Sequence, residues 1–208
     1  MAERSATLET PLFQQVFGKD WQDMPQVMKD HYAVRAGSSD VVVVAGTLDV
    51  RVVWLVRMMA RLTGMLVPYC GDNVPVVVRF TSSADGKSLI FDREFSFPER
   101  KPVRFYSQMQ HLGDGVMIEF MRFGIGWKFA CRWDGAKVIL AHRGYVWRLF
   151  GWLIPLPLEL VIGRGHAEEV PVSGDEFSMW THSRHRLFGA MFGYAGTFRI
   201  IEQPCDRS

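Results

Sequence analysis

The chain has 208 residues, of which 48% are hydrophobic and 13% aromatic, and its formal net charge is +2. A chain of this length fits one large domain and buries about 70% of the surface that it exposes when unfolded, so folding requires neither a disulfide nor a metal ion. The near-neutral charge argues against a dedicated nucleic-acid-binding protein, because such proteins carry a marked excess of basic residues.

Cysteine spacing and the chain termini give further limits. Cys70, Cys131 and Cys205 are scattered and lack the spacing of a metal site, which predicts reduced thiols and no metal. The first ten residues are polar and do not resemble a signal peptide, and no apolar stretch reaches the roughly 20 residues of a membrane span. We therefore expect a cytoplasmic protein without a transmembrane segment. We expect residues 1–10 to be flexible, residues 11–203 to form a single β-rich domain, and residues 204–208 to be frayed.

Helical periodicity is confined to the first third of the chain. Apolar residues recur at one-face helical spacing in two short pieces between Pro11 and His31. The segment Arg51 to Leu66 has a broad apolar stripe, with Arg57 and Arg61 one turn apart on another side. It predicts one long packed helix.

From Pro75 onward the pattern has the period of two that is typical of strands. In the segment Leu89–Phe97, Arg93 shares one face with Phe91, Phe95 and Phe97. In Trp127–Trp133, aromatic and basic residues lie on opposite faces. Short Gly- and Asp-containing turns separate the strands, as in hairpins. Phe150–Leu160 carries two prolines, so we expect an apolar crossover there instead of a helix or a central strand.

About eight to ten strands and one long helix make the fold mostly β (α+β). A sheet of that size must curl to cover its edges and to gain a second layer. The sequence therefore predicts a curled antiparallel meander or a barrel, with one long packed helix and short N-terminal helices.

An ordered set of segments resembles a bacterial family known only as a domain of unknown function, number 4166. The segments are LFQQVFGKDWQDMPQVMKDHY, RVVWLVRMMARLTGML, VPVVVRF, MIEFMRFG, IPLPLEL and LFGAMFGYAGTFRI. The resemblance runs from about Pro11 to Ile201. It implies a domain that occurs alone or C-terminal to dehydrogenase-like, NAD(P)-binding domains, and it supplies no activity and no catalytic residues. The chain has no G-x-G-x-x-G segment after a strand, so we expect no dinucleotide cofactor, and no other cofactor is indicated.

Three residues are weak candidates for acid–base chemistry: Glu119, His142 and His182. Glu119 lies among apolar residues of a strand, where burial would raise the pKa of its carboxyl group. The alternative for Glu119 is a cross-strand ion pair with an arginine, and the alternative for either histidine is a structural role. No nucleophile elbow, zinc-protease motif or phosphate loop is present in the sequence, so we favour a non-catalytic domain.

The favoured function is binding of an apolar or amphiphilic, lipid-like small molecule. Curled antiparallel sheets enclose cavities, and aromatic and methionine side chains suit apolar pockets. Four residues are candidates for a head group or another anion: Arg57, Arg61, Arg184 and His185. The candidate ligand-contacting residues are Trp54, Met58, Phe95, Phe120, Trp127, Phe129, Trp133, Trp147 and Trp152.

Two other functions fit the same sequence. The domain could serve as a docking or accessory module for a separate dehydrogenase-like oxidoreductase, with the aromatic residues filling a dry core. A basic amphipathic helix could also bind a membrane surface. A single-strand nucleic-acid platform is disfavoured, because the rings of Trp127 and Phe129 lie on the opposite face from Lys128 and Arg132.

Overall fold

The computed structural model describes residues 10–204, so most of the predicted flexible start and frayed tail lies outside the described residues. Helices α1 (Leu12–Phe17) and α2 (Gln26–His31) flank a 3₁₀ turn, Gly18–Asp23, and confirm the predicted short N-terminal helices. Helix α3 (Trp54–Thr63) and helix α4 (Glu159–Ile162) occur later in the chain.

Within residues 10–204, eleven strands form one antiparallel sheet, as the period-two pattern predicts. They are β1 (Val41–Val52), β2 (Gly71–Ser82), β3 (Ser88–Phe95), β4 (Val103–Gly113), β5 (Val116–Phe120), β6 (Ile125–Trp133), β7 (Val138–Leu149), β8 (Trp152–Leu156), β9 (Arg164–Pro171), β10 (Glu176–His185) and β11 (Gly189–Glu202).

Ten of these strands close into a barrel. Their order is β6-β5-β4-β3-β2-β1-β11-β10-β9-β7, and β6 also pairs with β7, which joins the two ends. The first part of β7, from Val138 to Ala141, pairs with β9, whereas its last part, from Tyr145 to Leu149, pairs with β8. Strand β8 therefore extends one side of the barrel and is not part of its closed wall.

Because consecutive strands are antiparallel, their connections alternate between the two ends of the barrel. The end that we call the mouth carries residues 53–70, 96–102, 121–124, 150–163 and 186–188. The opposite end, which we call the far end, carries the turns 83–87, 114–115, 134–137 and 172–175. Helices α1 and α2 cover the far end: the ring of His31 packs 4.2 Å from Phe177 and 5.0 Å from Phe80.

The structure corrects the predicted long helix. Helix α3 has ten residues, because Arg51 and Val52 continue β1 and pair with Gly193 and Phe192 of β11. At its other end Gly64 adopts a left-handed conformation (φ 63°), which terminates the helix. Ladder hydrogen bonds thus override the helical periodicity of the first residues.

The predicted crossover Phe150–Leu160 is also wrong in part. It contains strand β8, which pairs with β7 so that Pro155 lies opposite Val146, and it continues into helix α4. Proline is tolerated because β8 is at an edge, where its missing N–H leaves no ladder bond unmade.

Candidate functional site

The barrel interior contains two adjoining cavities with mainly apolar walls. One, of about 90 Å³, lies at the mouth beneath α3 and α4. The other, of about 70 Å³, lies toward the far end beneath His31. Both cavities are bordered by Glu119, Trp127, Thr181 and Tyr194, so these four side chains form the partition of one lumen.

A buried ion pair stands at this partition. Arg93 of β3 donates one hydrogen bond to Glu119 of β5 (Nη2 to Oε1, 2.8 Å) and another to Ser107 of β4 (Nη1 to Oγ, 2.8 Å). Ser107 in turn donates to the same Glu119 oxygen at 2.6 Å. The guanidinium carbon lies 4.9 Å and 5.0 Å from the ring centres of Phe91 and Phe105, so two aromatic faces hold the cation between them.

A second carboxylate, Glu169 of β9, borders the inner cavity. It accepts a hydrogen bond from the hydroxyl of Tyr32, and its Oε2 lies 3.5 Å from Nε2 of His31. Burial by itself raises the pKa of Glu169, but His31, the Tyr32 hydroxyl and the charge of Arg93 together outweigh it, so this pKa is lowered. The ionised carboxylate thus joins the far-end helix α2 to the barrel wall.

Several oxygen atoms of residues that border the lumen have unused hydrogen-bonding capacity. Within the described residues, Oε2 of Glu119, Oε1 of Glu169 and the hydroxyl of Tyr194 have no hydrogen-bond partner. Burial raises the pKa of Tyr194 to about 12; Arg93 opposes this shift, and Glu119 and Glu169 add to it. The Tyr194 hydroxyl is therefore a neutral donor beside two carboxylate acceptors.

A hydrogen-bonded chain fixes the indole ring of Trp127. Trp127 Nε1–H donates to Nδ1 of His142 at 2.9 Å, and the backbone N–H of Gly165 donates to the same nitrogen at 3.3 Å. Because Nδ1 is an acceptor, Nε2 carries the proton and donates to Glu159 of α4 at 2.8 Å. Burial lowers the pKa of His142, although the hydrogen bond and the charge of Glu159 oppose this shift. The net lowering of the pKa keeps the ring neutral. His142 therefore positions Trp127 and has no free ring nitrogen.

Of the three acid–base candidates, Glu119 and His182 both border the cavity at the mouth, whereas His142 borders neither cavity. Glu119 pairs with Arg93, which is the cross-strand alternative, and His142 is held in the Trp127 chain. The ring of His182 stacks on Trp180, with ring centres 4.8 Å apart, and its Nδ1 has no partner in the described chain. Burial, then the neighbouring His166 and Arg184, lower the pKa of His182.

The candidate ligand-contacting residues divide into three groups. Phe95 and Trp127 border the lumen cavities. The side chains of Phe120, Phe129 and Trp133 are buried but border neither cavity, and Phe120 packs with Ile118 and Val146 in a separate small cluster. The other four are exposed on the outside of the barrel: Trp54, Met58, Trp147 and Trp152.

The four head-group candidates do not border the lumen cavities. Arg57 donates to the sulfur of Cys70 at 3.1 Å, and Arg61 lies 6.0 Å from the ring centre of Tyr69. Arg184 is exposed at the end of β10. His185 is buried, where Nδ1 accepts hydrogen bonds from the backbone N–H groups of residues 187 and 188 and Nε2 contacts the carbonyl of Leu160 at 3.2 Å.

Sequence reasoning missed three polar residues of the lumen: Arg93, Glu169 and Tyr194. Arg93 had a visible signal, because it is the one charged residue on an aromatic strand face. Glu169 and Tyr194 had none, because their neighbours in the lumen come from strands far away in the chain. Among residues 10–204, no group of three or more His, Cys, Asp and Glu side chains could hold a metal ion, and no helix is long and apolar enough to cross a membrane.

Comparison with known proteins gives a family and several similar solved structures. The crystal structure of Rv2717c from M. tuberculosis covers 79% of this chain and 92% of its own, at 12% sequence identity and a TM-score of 0.39. No curated protein has significant sequence similarity to the chain. The model of the domain of unknown function DUF4166 matches residues 24–198, and the chain therefore belongs to this family.

Proposed function

We propose that this domain is a non-catalytic binding module that takes an apolar or amphiphilic small molecule into the barrel lumen. The observation that carries the proposal is the pair of adjoining apolar cavities with unpartnered oxygens at their partition. Glu119, Glu169 and Tyr194 border these cavities, so a ligand inside the lumen can use the hydrogen-bonding capacity that the three side chains leave free.

Cavity size limits the ligand. An apolar cavity of about 150 Å³ holds a molecule the size of benzene. Neither cavity, at about 90 and about 70 Å³, reaches this size alone, so one small ring or a short branched chain has to span both of them. A longer, lipid-like ligand requires the flexible walls Met59, Met65 and Met179 to repack, which methionine side chains do readily.

The polar atoms at the partition favour a ligand that donates a hydrogen bond. Oε2 of Glu119 and Oε1 of Glu169 are acceptors, and an incoming carboxylate would repel both of these ionised groups. A hydroxyl group can donate to Glu119 and accept from the Tyr194 hydroxyl, whereas an ammonium group can donate to the carboxylates of Glu119 and Glu169. We therefore propose a small alcohol or amine with an apolar body, in place of a ligand with an anionic head group bound by the four head-group candidates.

The same contacts support a binding role over catalysis. Oε1 of Glu119 is held by Arg93 and Ser107, and both ring nitrogens of His142 are engaged. General base catalysis requires a group that can reach the proton of a substrate, and His142 has no free ring nitrogen for this role.

The proposal is tested by ligand-observed NMR titration with benzyl alcohol and with benzoate, which share a ring and differ in the head group. Benzyl alcohol is expected to bind saturably and at least about tenfold more tightly than benzoate, because only the alcohol can donate to Glu119. Ala60→Leu fills the cavity at the mouth and Ala167→Leu fills the inner one, since both alanines are buried cavity walls.

We expect at least one of the two filled variants to weaken benzyl alcohol binding by at least about tenfold. Ala136→Leu, in an exposed far-end turn, adds the same atoms outside the lumen and is the matched control. Equal binding of the two ligands would refute the head-group assignment, and unchanged binding in both filled variants would refute the lumen as the site.

A further inference from the structure

Large apolar side chains project into solvent from the connections at the mouth. Members of this set come from four different connections, and they are between 68% and 92% exposed. They are Leu62, Phe123, Phe150, Trp152, Leu187 and Phe188. A typical soluble surface carries scattered single apolar residues, whereas an apolar cluster at one end of a domain marks an interaction surface.

The apolar connections are joined to one another by direct contacts. The guanidinium of Arg122 packs against Gly64 at the end of α3, where an added Cβ would lie 2.5 Å from it. The carbonyl of Phe123 accepts a hydrogen bond from Trp147 Nε1 at 2.9 Å, which ties this connection to the β7–β8 hairpin. His185 in turn contacts α4 through the carbonyl of Leu160. The exposed apolar residues therefore belong to one continuous surface.

Helix α3 contributes an outward apolar row of its own. Trp54, Met58 and Leu62 are spaced four residues apart and are exposed, whereas Val56 and Ala60 are buried against the barrel. Arg57 and Arg61 flank this row. A helix that lies in a membrane interface combines an apolar row of Trp and Leu with flanking basic residues in this way.

Charge is distributed unequally between the two ends of the barrel. The mouth connections carry six basic residues, Arg57, Arg61, Arg100, Lys101, Arg122 and Arg186, and two acidic residues, Glu99 and Glu159. The four far-end turns carry four aspartates, Asp85, Asp114, Asp134 and Asp175, and two lysines, Lys87 and Lys137. The end that exposes apolar side chains is therefore also the positively charged end.

A groove beside the mouth adds an anion site to this surface. It has a volume of about 510 Å³ and is bordered by Arg104, Arg122 and Arg148. Arg104 is paired with Asp92, but Arg122 and Arg148 have no carboxylate partner among residues 10–204. The guanidinium of Arg148 stacks 4.1 Å from the ring centre of Phe120, which holds it at the groove.

We propose that the mouth docks on the surface of an anionic phospholipid bilayer, with the exposed rings in the interface and phosphate groups in the arginine groove. Charge complementarity selects the anionic surface, because basic residues bind such a leaflet and their attraction adds to apolar insertion. A bilayer accommodates separate protruding side chains, whereas a protein partner would need matching pockets for each of them. The inference does not depend on what occupies the lumen.

The test is sedimentation of the purified protein with vesicles of phosphatidylcholine and with vesicles that also contain phosphatidylglycerol. The protein is expected to sediment with the anionic vesicles only, and less as salt is added. Two double variants, Phe150→Ser/Trp152→Ser and Arg122→Glu/Arg148→Glu, should each reduce the bound fraction at least about tenfold.

The matched control carries Val172→Ser and Arg132→Glu, which change an exposed apolar and an exposed basic residue near the far end. It should sediment like the unaltered protein. Failure to bind anionic vesicles, or equal binding by the mouth and control variants, would overturn the proposal. So would a stable dimer that the Phe150→Ser/Trp152→Ser change dissociates, because the surface would then serve a second copy of the chain.

Discussion

Replacing Arg93 by methionine is expected to lower the free energy of unfolding by about 3–5 kcal/mol, because it leaves the carboxylate of Glu119 buried without its cation. Arg93 is 9% exposed, and its guanidinium donates to both Glu119 and Ser107 inside the barrel. Methionine has a similar length and apolar stem, so the change removes mainly the charge and the hydrogen bonds.

A double variant separates the cost of an unpaired charge from lost packing. Arg93→Met combined with Glu119→Leu is expected to recover most of the lost stability, since apolar replacement of a whole buried pair is often neutral or stabilising. Urea unfolding of the single and double variants measures both effects. Arg104→Met, on the next strand, removes the cation of an exposed pair with Asp92 and should leave stability almost unchanged. A single variant as stable as the unaltered chain would show that the pair is not buried in solution.

Gly196→Ala is expected to destabilise the barrel by about 3 kcal/mol, because strands β1 and β11 approach too closely for any side chain at this position. An ideal Cβ on Gly196 would lie 1.9 Å from the carbonyl oxygen of Thr47, and one on Gly46 would lie 2.0 Å from that of Thr197. The obstacle in each case is backbone, so relief requires the two paired strands to separate.

Thermal unfolding measures this effect against Gly174→Ala. Gly174 lies in a far-end turn where an added Cβ would meet no atom within 4 Å, and its φ is not positive. We expect the control to leave the melting temperature nearly unchanged or slightly raised, because alanine restricts the unfolded chain. Equal melting temperatures for the two alanine variants would contradict the β1–β11 pairing that joins the two halves of the barrel.

Local sequence patterns predicted most of the wall of the barrel. Alternation in Trp127–Trp133 predicted β6, and the Gly- and Asp-containing turns predicted most of the hairpins that follow β2. Closure was only one of two expected forms, because the pairings of β1 with β11 and of β7 with β9 depend on the curvature of the whole sheet. Periodicity predicts a helix for residues 51–53, but these residues form backbone hydrogen bonds with β11 instead.

The polar part of the candidate site was much less predictable. Arg93 and Glu119 are 26 residues apart and meet only because β3, β4 and β5 are neighbours and both side chains point inward. Glu169 reaches Tyr32 across 137 residues, from the wall to a helix at the far end. Spacing along the chain carries no information about such contacts, whereas the aromatic residues could be assigned to a strand face. The sequence did not show which strand faces point toward the lumen. It therefore could not predict which aromatic residues border a cavity.

The most direct test of a ligand in the lumen is the indole N–H signal of Trp127 in a nitrogen-15 NMR spectrum, followed while benzyl alcohol is added. Trp127 borders both cavities, and its N–H is bonded to His142, so a lumen ligand must perturb it. The account predicts a saturable shift of this signal and contacts from the ligand to Thr181 and Tyr194. Shifts confined to the exposed Trp54 and Trp152, or no saturable shift of Trp127, would contradict it.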